Sequence, residues 1–116
     1  MDDLVAFLRS RLDEDAVIAR AADAAIGGNA EADVPLIVHD NAHEAVAIHI
    51  SRHDPARVLA EVDAKRLLLA EYADVVGNES ADYEWAGGWA NGLGKAVALL
   101  ALPYADHPDY LDTWRP

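Results

Sequence analysis

Ala47-Ile-His-Ile-Ser-Arg-His-Asp-Pro-Ala-Arg-Val-Leu-Ala-Glu-Val-Asp-Ala-Lys-Arg66 is the stretch that decides the fold. Within it Asp54 stands directly before Pro55. A carboxylate at a helix N-cap accepts hydrogen bonds from the free backbone N–H groups of the first turn. Proline suits the first helical position, because the N–H it lacks would have no partner there. The pair predicts a helix that starts at Pro55. From there Val58, Leu59, Val62, Leu69, Tyr72 and Val76 recur at three- and four-residue steps, one helical face. Gly77-Asn78 supplies the stop. Upstream, Ala45, Val46, Ile48, His49 and Ile50 form a second apolar segment that ends at His53. Two segments therefore meet at a corner, His53-Asp54-Pro55.

Before that corner, residues 2–26 read as a first helix, with Val5, Leu8, Leu12, Ala19, Ala22 and Ile26 along one face. Asp2 and Asp3 sit where the helix dipole favours negative charge, and Gly27-Gly28-Asn29 ends the element. Asp13-Glu14-Asp15 is a solvated face, because three consecutive helical residues point in three directions and cannot converge on one ligand. Residues 29–44 hold a short β-prone run, Val34-Pro-Leu-Ile-Val38. It could pair with Val46–Ile50 across a turn at Asp40-Asn41, since Val46, Ile48 and Ile50 alternate with Ala47 and His49. The competing reading, a helix over 42–53, is preferred, because an isolated hairpin is marginal unless it packs on helices.

After the corner helix, residues 79–102 read as a last helix with a stripe of Trp85, Trp89, Leu93, Val97 and Leu100. Gly87, Gly88, Gly92 and Gly94 interrupt it, each costing ~1 kcal/mol against alanine. Gly88 and Gly92, one turn apart, would let another helix approach closely; fraying before Gly94 is the alternative. Pro103 ends the helix, and Tyr104, Tyr110 and Trp114 predict that the tail 103–116 packs down. The fold class is therefore mainly α: one domain over 1–116, a compact bundle of three or four helices. A short β-hairpin around residues 34–50 is the variant left open.

Composition limits what such a domain does. The chain has 116 residues, 53% of them hydrophobic, and no apolar run near the ~20 residues of a membrane span. There is no cysteine, so disulfides and thiolate metal sites are excluded, and the acidic start Met1-Asp-Asp argues against a leader peptide. A cytoplasmic location is the expectation. Twenty-one acidic against nine basic residues give a net charge of −12. That disfavours direct grip on nucleic-acid phosphates or on an anionic membrane. It fits solubility, a basic partner protein, or a DNA-mimicking inhibitor. No phosphate-binding loop occurs, and no Gly-x-Ser-x-Gly elbow.

Three pieces carry a family resemblance. They are Asp2-Asp-Leu-Val-Ala-Phe-Leu-Arg-Ser-Arg-Leu-Asp-Glu-Asp15, His49-Ile-Ser-Arg-His-Asp-Pro-Ala-Arg-Val-Leu59 through Lys65-Arg66, and Leu99-Leu-Ala-Leu-Pro-Tyr-Ala-Asp-His-Pro-Asp-Tyr110 with Trp114-Arg-Pro116. Together they resemble a family of small actinobacterial and actinophage proteins classed as a domain of unknown function. Regions 27–45 and 73–95 fall between the matching pieces and are where such proteins vary. Similar proteins often carry a cysteine pair in the second of these regions. This chain has none, so a metal role resting on those cysteines does not carry over. The resemblance implies an actinobacterial or phage cytoplasm and no reaction.

The candidate site residues are few. His49 and His53 are four apart, the spacing of paired zinc ligands on one helical face, as are His39 and His43. Glu44 or Asp54 could add oxygens, but no third ligand is specified, so no metal and no cofactor is favoured. His49 in a helix interface, with His53 packing at the corner, is the simpler reading. Arg52, Arg57, Lys65 and Arg66 concentrate positive charge near a helix start and could hold an anion. Pairing with Asp54, Glu61, Asp63 and the first helix is the simpler expectation. Trp85 and Trp89, with Tyr83, form either core or a partner-binding stripe, and Trp114 with Arg115 could clamp residues 52–57. The function read from these residues is a small acidic interaction or regulatory protein that binds a host protein, with no assignable reaction. The leaning is against an enzyme, and a homodimer stays open. A metal- or small-molecule-binding protein using the His49/His53 corner is the alternative, and a DNA mimic the weaker one.

Overall fold

A computed structural model describes residues 2–26, 44–77 and 83–116. Among these residues four α-helices come in order: α1 (Asp2–Ile26), α2 (Glu44–Arg52), α3 (Pro55–Gly77) and α4 (Tyr83–Ala101). Two 3-10 turns, Leu102–Tyr104 and Asp112–Trp114, come after them. Among the described residues there is no strand, and the fold class is mainly α. Residues 46–50, the second strand of the alternative hairpin, are helical within α2, so that hairpin is overturned. Its other half, residues 34–38, lies outside the described residues. The alternation of Val46, Ile48 and Ile50 misled because α2 does not bury them: they are 51%, 50% and 38% exposed, and Ala47 is the buried residue.

The chain divides into two units, Met1–Leu12 with Ala64–Pro116, and Asp13–Asp63. In the first unit the early turns of α1 bury Leu4, Phe7 and Leu8, with Leu12 behind them. The later turns of α3 bury Leu69 and Tyr72, and α4 buries Leu93, Val97, Ala98 and Ala101. Each set recurs at three- and four-residue steps, the mark of a single core-facing stripe. Phe7, the only phenylalanine, centres the attachment of the tail. Its ring lies 5.1 Å from Trp114, 5.5 Å from His107, 5.9 Å from Tyr110 and 6.5 Å from Tyr104, mostly edge to face. These separations are where aromatic quadrupoles attract. One turn on, the Arg11 guanidinium lies over the Phe7 ring at 5.6 Å and reaches His107 Nε2. The backbone N–H of Asp109 donates to His107 Nδ1 at 3.1 Å. Tyr110 is buried with its Oη unpartnered among the described residues.

The second unit is built differently. Its buried hydrophobic residues among those described are Ala16, Ala19, Ala47 and Val62, while Val17 and Ile18 of α1 are 64% and 63% exposed. Among these described residues alanine predominates inside, with Val62 beside it, and Val17 and Ile18 stand outside.

In α4 the expected stripe holds for Leu93 and Val97 and fails above them, where Trp89 is exposed. The Trp85 side chain lies outside the described residues. Of the two readings of Gly88 and Gly92, close approach of another helix finds no support among the described residues. A Cβ built on Gly87, Gly88 or Gly92 meets nothing within 4 Å. These glycines therefore lower helix propensity with no packing gained among the described residues.

This architecture sets three stability outcomes. Asp54→Ala should lower stability by about 1 kcal/mol, the loss of an N-cap; an unchanged thermal melt would show that the cap contributes nothing. Gly92→Ala should raise the melting temperature, by about 0.5–1 kcal/mol of stability, since the backbone is helical and the space is open; a lower melt would mean that something packs there. Tyr110→Phe should be neutral or stabilising by up to about 1 kcal/mol, because it deletes a buried hydroxyl that lacks a partner. A clear loss of stability in denaturant titration would show that the hydroxyl is satisfied in solution.

Candidate functional site: the helix corner and its groove

The corner forms as its sequence requires. The Arg57 backbone N–H donates to Asp54 Oδ1 at 2.9 Å, so Asp54 caps α3 at the third helical position. The Val58 N–H donates to the Asp54 carbonyl at 3.0 Å, the first intrahelical bond of α3. On the other side the His53 N–H donates to the His49 carbonyl at 3.0 Å and completes α2. Arg57 ties the two helices together. Its Nη1 donates to the Arg52 carbonyl at 3.1 Å, satisfying an acceptor at the C-terminal end of α2, and its Nε pairs with Glu61 Oε1 at 3.0 Å. The Arg57–Glu61 pair is half exposed and contributes little energy. Its effect is to hold the Arg57 fork in place. Arg57 therefore acts as a brace, and its charge is matched by Glu61.

His49 and His53 share a face of α2, with ring centroids 4.5 Å apart and planes inclined by 36°. Both are exposed, so His49 is not in a helix interface. Among the described residues no three histidine, aspartate or glutamate side chains gather closely enough to hold an ion. His39 and His43, and the Glu44 side chain, lie outside the described set.

A cavity of about 330 Å³ opens beside this corner. One wall is α1, through Asp15, Ile18, Ala19 and Ala22, which are three and four residues apart and so share a face. The other wall is the corner itself, through Ile50, Pro55 and Val58, with His53 and Asp54 at its polar margin. The lining is almost wholly aliphatic. The two alanines keep the α1 wall low, while Ile18 and Ile50 stand up as its edges. A second cavity, about 420 Å³, lies in the first unit between Val5, Arg9, Tyr72 and Val76, and reaches Gly77 at the end of α3.

Of the residues singled out from the sequence, His49, Arg52, His53, Asp54 and Arg57 come together at the corner. Trp114 packs on Phe7 and on Tyr110 in the first unit, and Arg115 pairs with Asp112 at 3.1 Å and lies over the Tyr110 ring. Trp89 is exposed on α4. Sequence reasoning missed Asp15, Ile18 and Val58 as one site. The available signal was the Val17-Ile18 pair, two large aliphatics beside a stripe that passes through Ala16 and Ala19.

Comparison with curated proteins and with solved structures finds no match. A family profile does match, along residues 1–116, and its description is "Family of unknown function (DUF6221)". That span includes all three segments on which the resemblance rested. The chain belongs to this family of unknown function.

Proposed function

We propose that this protein works by binding another protein, as a small acidic interaction domain, with the groove at the helix corner as its docking surface. The observation that carries this reading is the inverted apolar distribution of the second unit. Ile18 is 63% exposed and Ile50 38%, both lining one cavity, while three of the four buried hydrophobic residues described in this unit are alanines. Large aliphatics held in water at a shared groove forgo burial that stabilises a side chain by ~1.5–3 kcal/mol each. Scattered exposed aliphatics need no explanation, whereas exposed ones that converge on a concavity mark contact sites. The charged groups of the corner support the same reading. Asp54 is used as a cap and Arg57 as a brace, so the corner's charges serve the fold and its apolar wall is what remains to engage a ligand. A regulatory role in the cytoplasm accords with the chain's net charge of −12 and with its lack of cysteine.

Site-specific photo-crosslinking in the full chain tests this, in cells that naturally make the protein. A photoreactive phenylalanine analogue at position 18 or 50 should give the same discrete adduct, identified by mass spectrometry. The adduct should be absent when the analogue replaces Leu111 in the tail, and Ile50→Asp should abolish it at position 18. No adduct at either groove position, or the same adducts at all three positions, would overturn the docking surface.

A further inference from the structure

Resting on the docking surface just proposed, we infer that its occupant is a basic amphipathic helix of the partner, seated lengthwise in the groove with its apolar face inward and its lysines and arginines along the rim. Three observations lead there. The first is the shape of the groove. Its α1 wall presents Ile18, Ala19 and Ala22 at helical spacing, so two small residues lie between a large one and the corner. A ridge of aliphatic side chains from another helix fits such a channel, which is how helices pack ridge into groove. Extended peptides bind by adding to a sheet edge, and among the described residues there is no strand to offer one.

The second observation is charge. Eleven of the 21 acidic residues fall within Asp13–Asp63, against three of the nine basic ones. The field at the groove is that of the whole unit, since Asp54 is used as the cap of α3 and Asp13, Glu14 and Asp15 point in different directions. Of the three arginines Arg57 is matched by Glu61. A ligand with lysines and arginines flanking its apolar face meets a complementary field, which raises its association rate and selects against acidic competitors. The same field disfavours a second copy of this chain as the occupant, since that copy brings the same acidic excess.

The third observation is that the groove needs no large rearrangement to accept a helix. Ile18 and Ile50 are already exposed and the cavity between them is open. A pre-formed seat avoids an ordering cost on this side of the interface.

Titration of the full-length protein with three designed peptides tests the inference. Each is about 18 residues, roughly five helical turns. One carries leucines at i, i+3, i+4 and i+7 with lysines elsewhere; the second replaces the lysines with glutamates; the third keeps the lysines and replaces the leucines with glutamines. Affinity is read by fluorescence anisotropy and location by backbone amide NMR shifts. The leucine–lysine peptide should bind, with shifts centred on Ile18, Ala22, Ile50 and Val58. It should weaken by about tenfold or more in Ile18→Asp, the size set by one lost aliphatic contact. It should also weaken at high salt. Equal binding of the leucine–glutamate peptide would overturn the basic partner while leaving the docking surface to the crosslinking result. Equal binding of the glutamine–lysine peptide, or shifts centred elsewhere, would overturn the helix-in-groove seat. Ile18→Asp and Ile50→Asp both alter exposed positions, so an unchanged melting profile for either variant separates lost binding from lost fold.

Discussion

The hydrogen bond from the Arg57 N–H to Asp54 Oδ1 fixes where α3 begins, and that phase governs both the buried stripe of α3 and the groove. With Pro55 at the first helical position, Val62, Leu69 and Tyr72 fall on one face and are buried. Val58, one turn before Val62, lines the groove. A start shifted by one residue would turn every one of these side chains by about 100°, and the buried stripe of α3 would no longer be aliphatic. Asp54 also stops α2, because the residue before proline is driven out of the helical region. One dipeptide thus ends one helix, starts the next and sets the bend that forms the groove's second wall.

The two units use the same amino acids under different constraints. In the first, Leu4, Leu8, Leu12, Leu69 and Val97 are fully buried, and the tail brings Tyr104, Tyr110 and Trp114 to Phe7. Burial there draws on large side chains and hence on large transfer energies. The second, among its described residues, buries Ala16, Ala19 and Ala47, each a single methyl group, together with Val62, so alanine's intrinsic propensity and the Asp54 cap count for more in its helices. Such a unit can leave Ile18 and Ile50 in water without forfeiting its main source of stability. Exposed aliphatics invite self-association, and the concentration of carboxylates over Asp13–Asp63 opposes it by repulsion.

Much of this was legible in the sequence where the signal is local. The bounds of α1 and α3 are set by caps, stops and period, and Asp54 was identifiable as a cap because the interaction spans three residues. The segment 42–53 stayed ambiguous because Val46, Ile48 and Ile50 fit period two, while Ala47 and Ser51 fit period four; only burial decides between them, and burial is tertiary. The same limit explains Gly88 and Gly92. Small residues one turn apart permit a close contact, but whether a second helix is present lies elsewhere in the chain. Phe7 as the centre of the tail's attachment was hidden for the same reason, since its partners lie about 100 residues away. The groove was hidden because assigning one buried stripe to each helix treats Ile18 as an off-stripe residue of no consequence.

That off-stripe position is what distinguishes a site from an imperfection. Leu67 on α3, Leu99 on α4 and Leu111 in the tail are also exposed, 73%, 49% and 47%, yet each sits on a different element of the first unit. Isolated apolar exposure of that kind is the ordinary state of protein surfaces. Ile18 and Ile50 come from two helices and face one cavity, with Ala19 and Ala22 beside them in its lining. Ala19 is buried and Ala22 exposed, so a leucine at position 22 would add apolar bulk to the groove wall at a small cost in helix propensity. The chain carries that option in its composition and uses leucine freely in the first unit. The open groove therefore reflects where the small residues are placed, and a shortage of apolar side chains does not explain it.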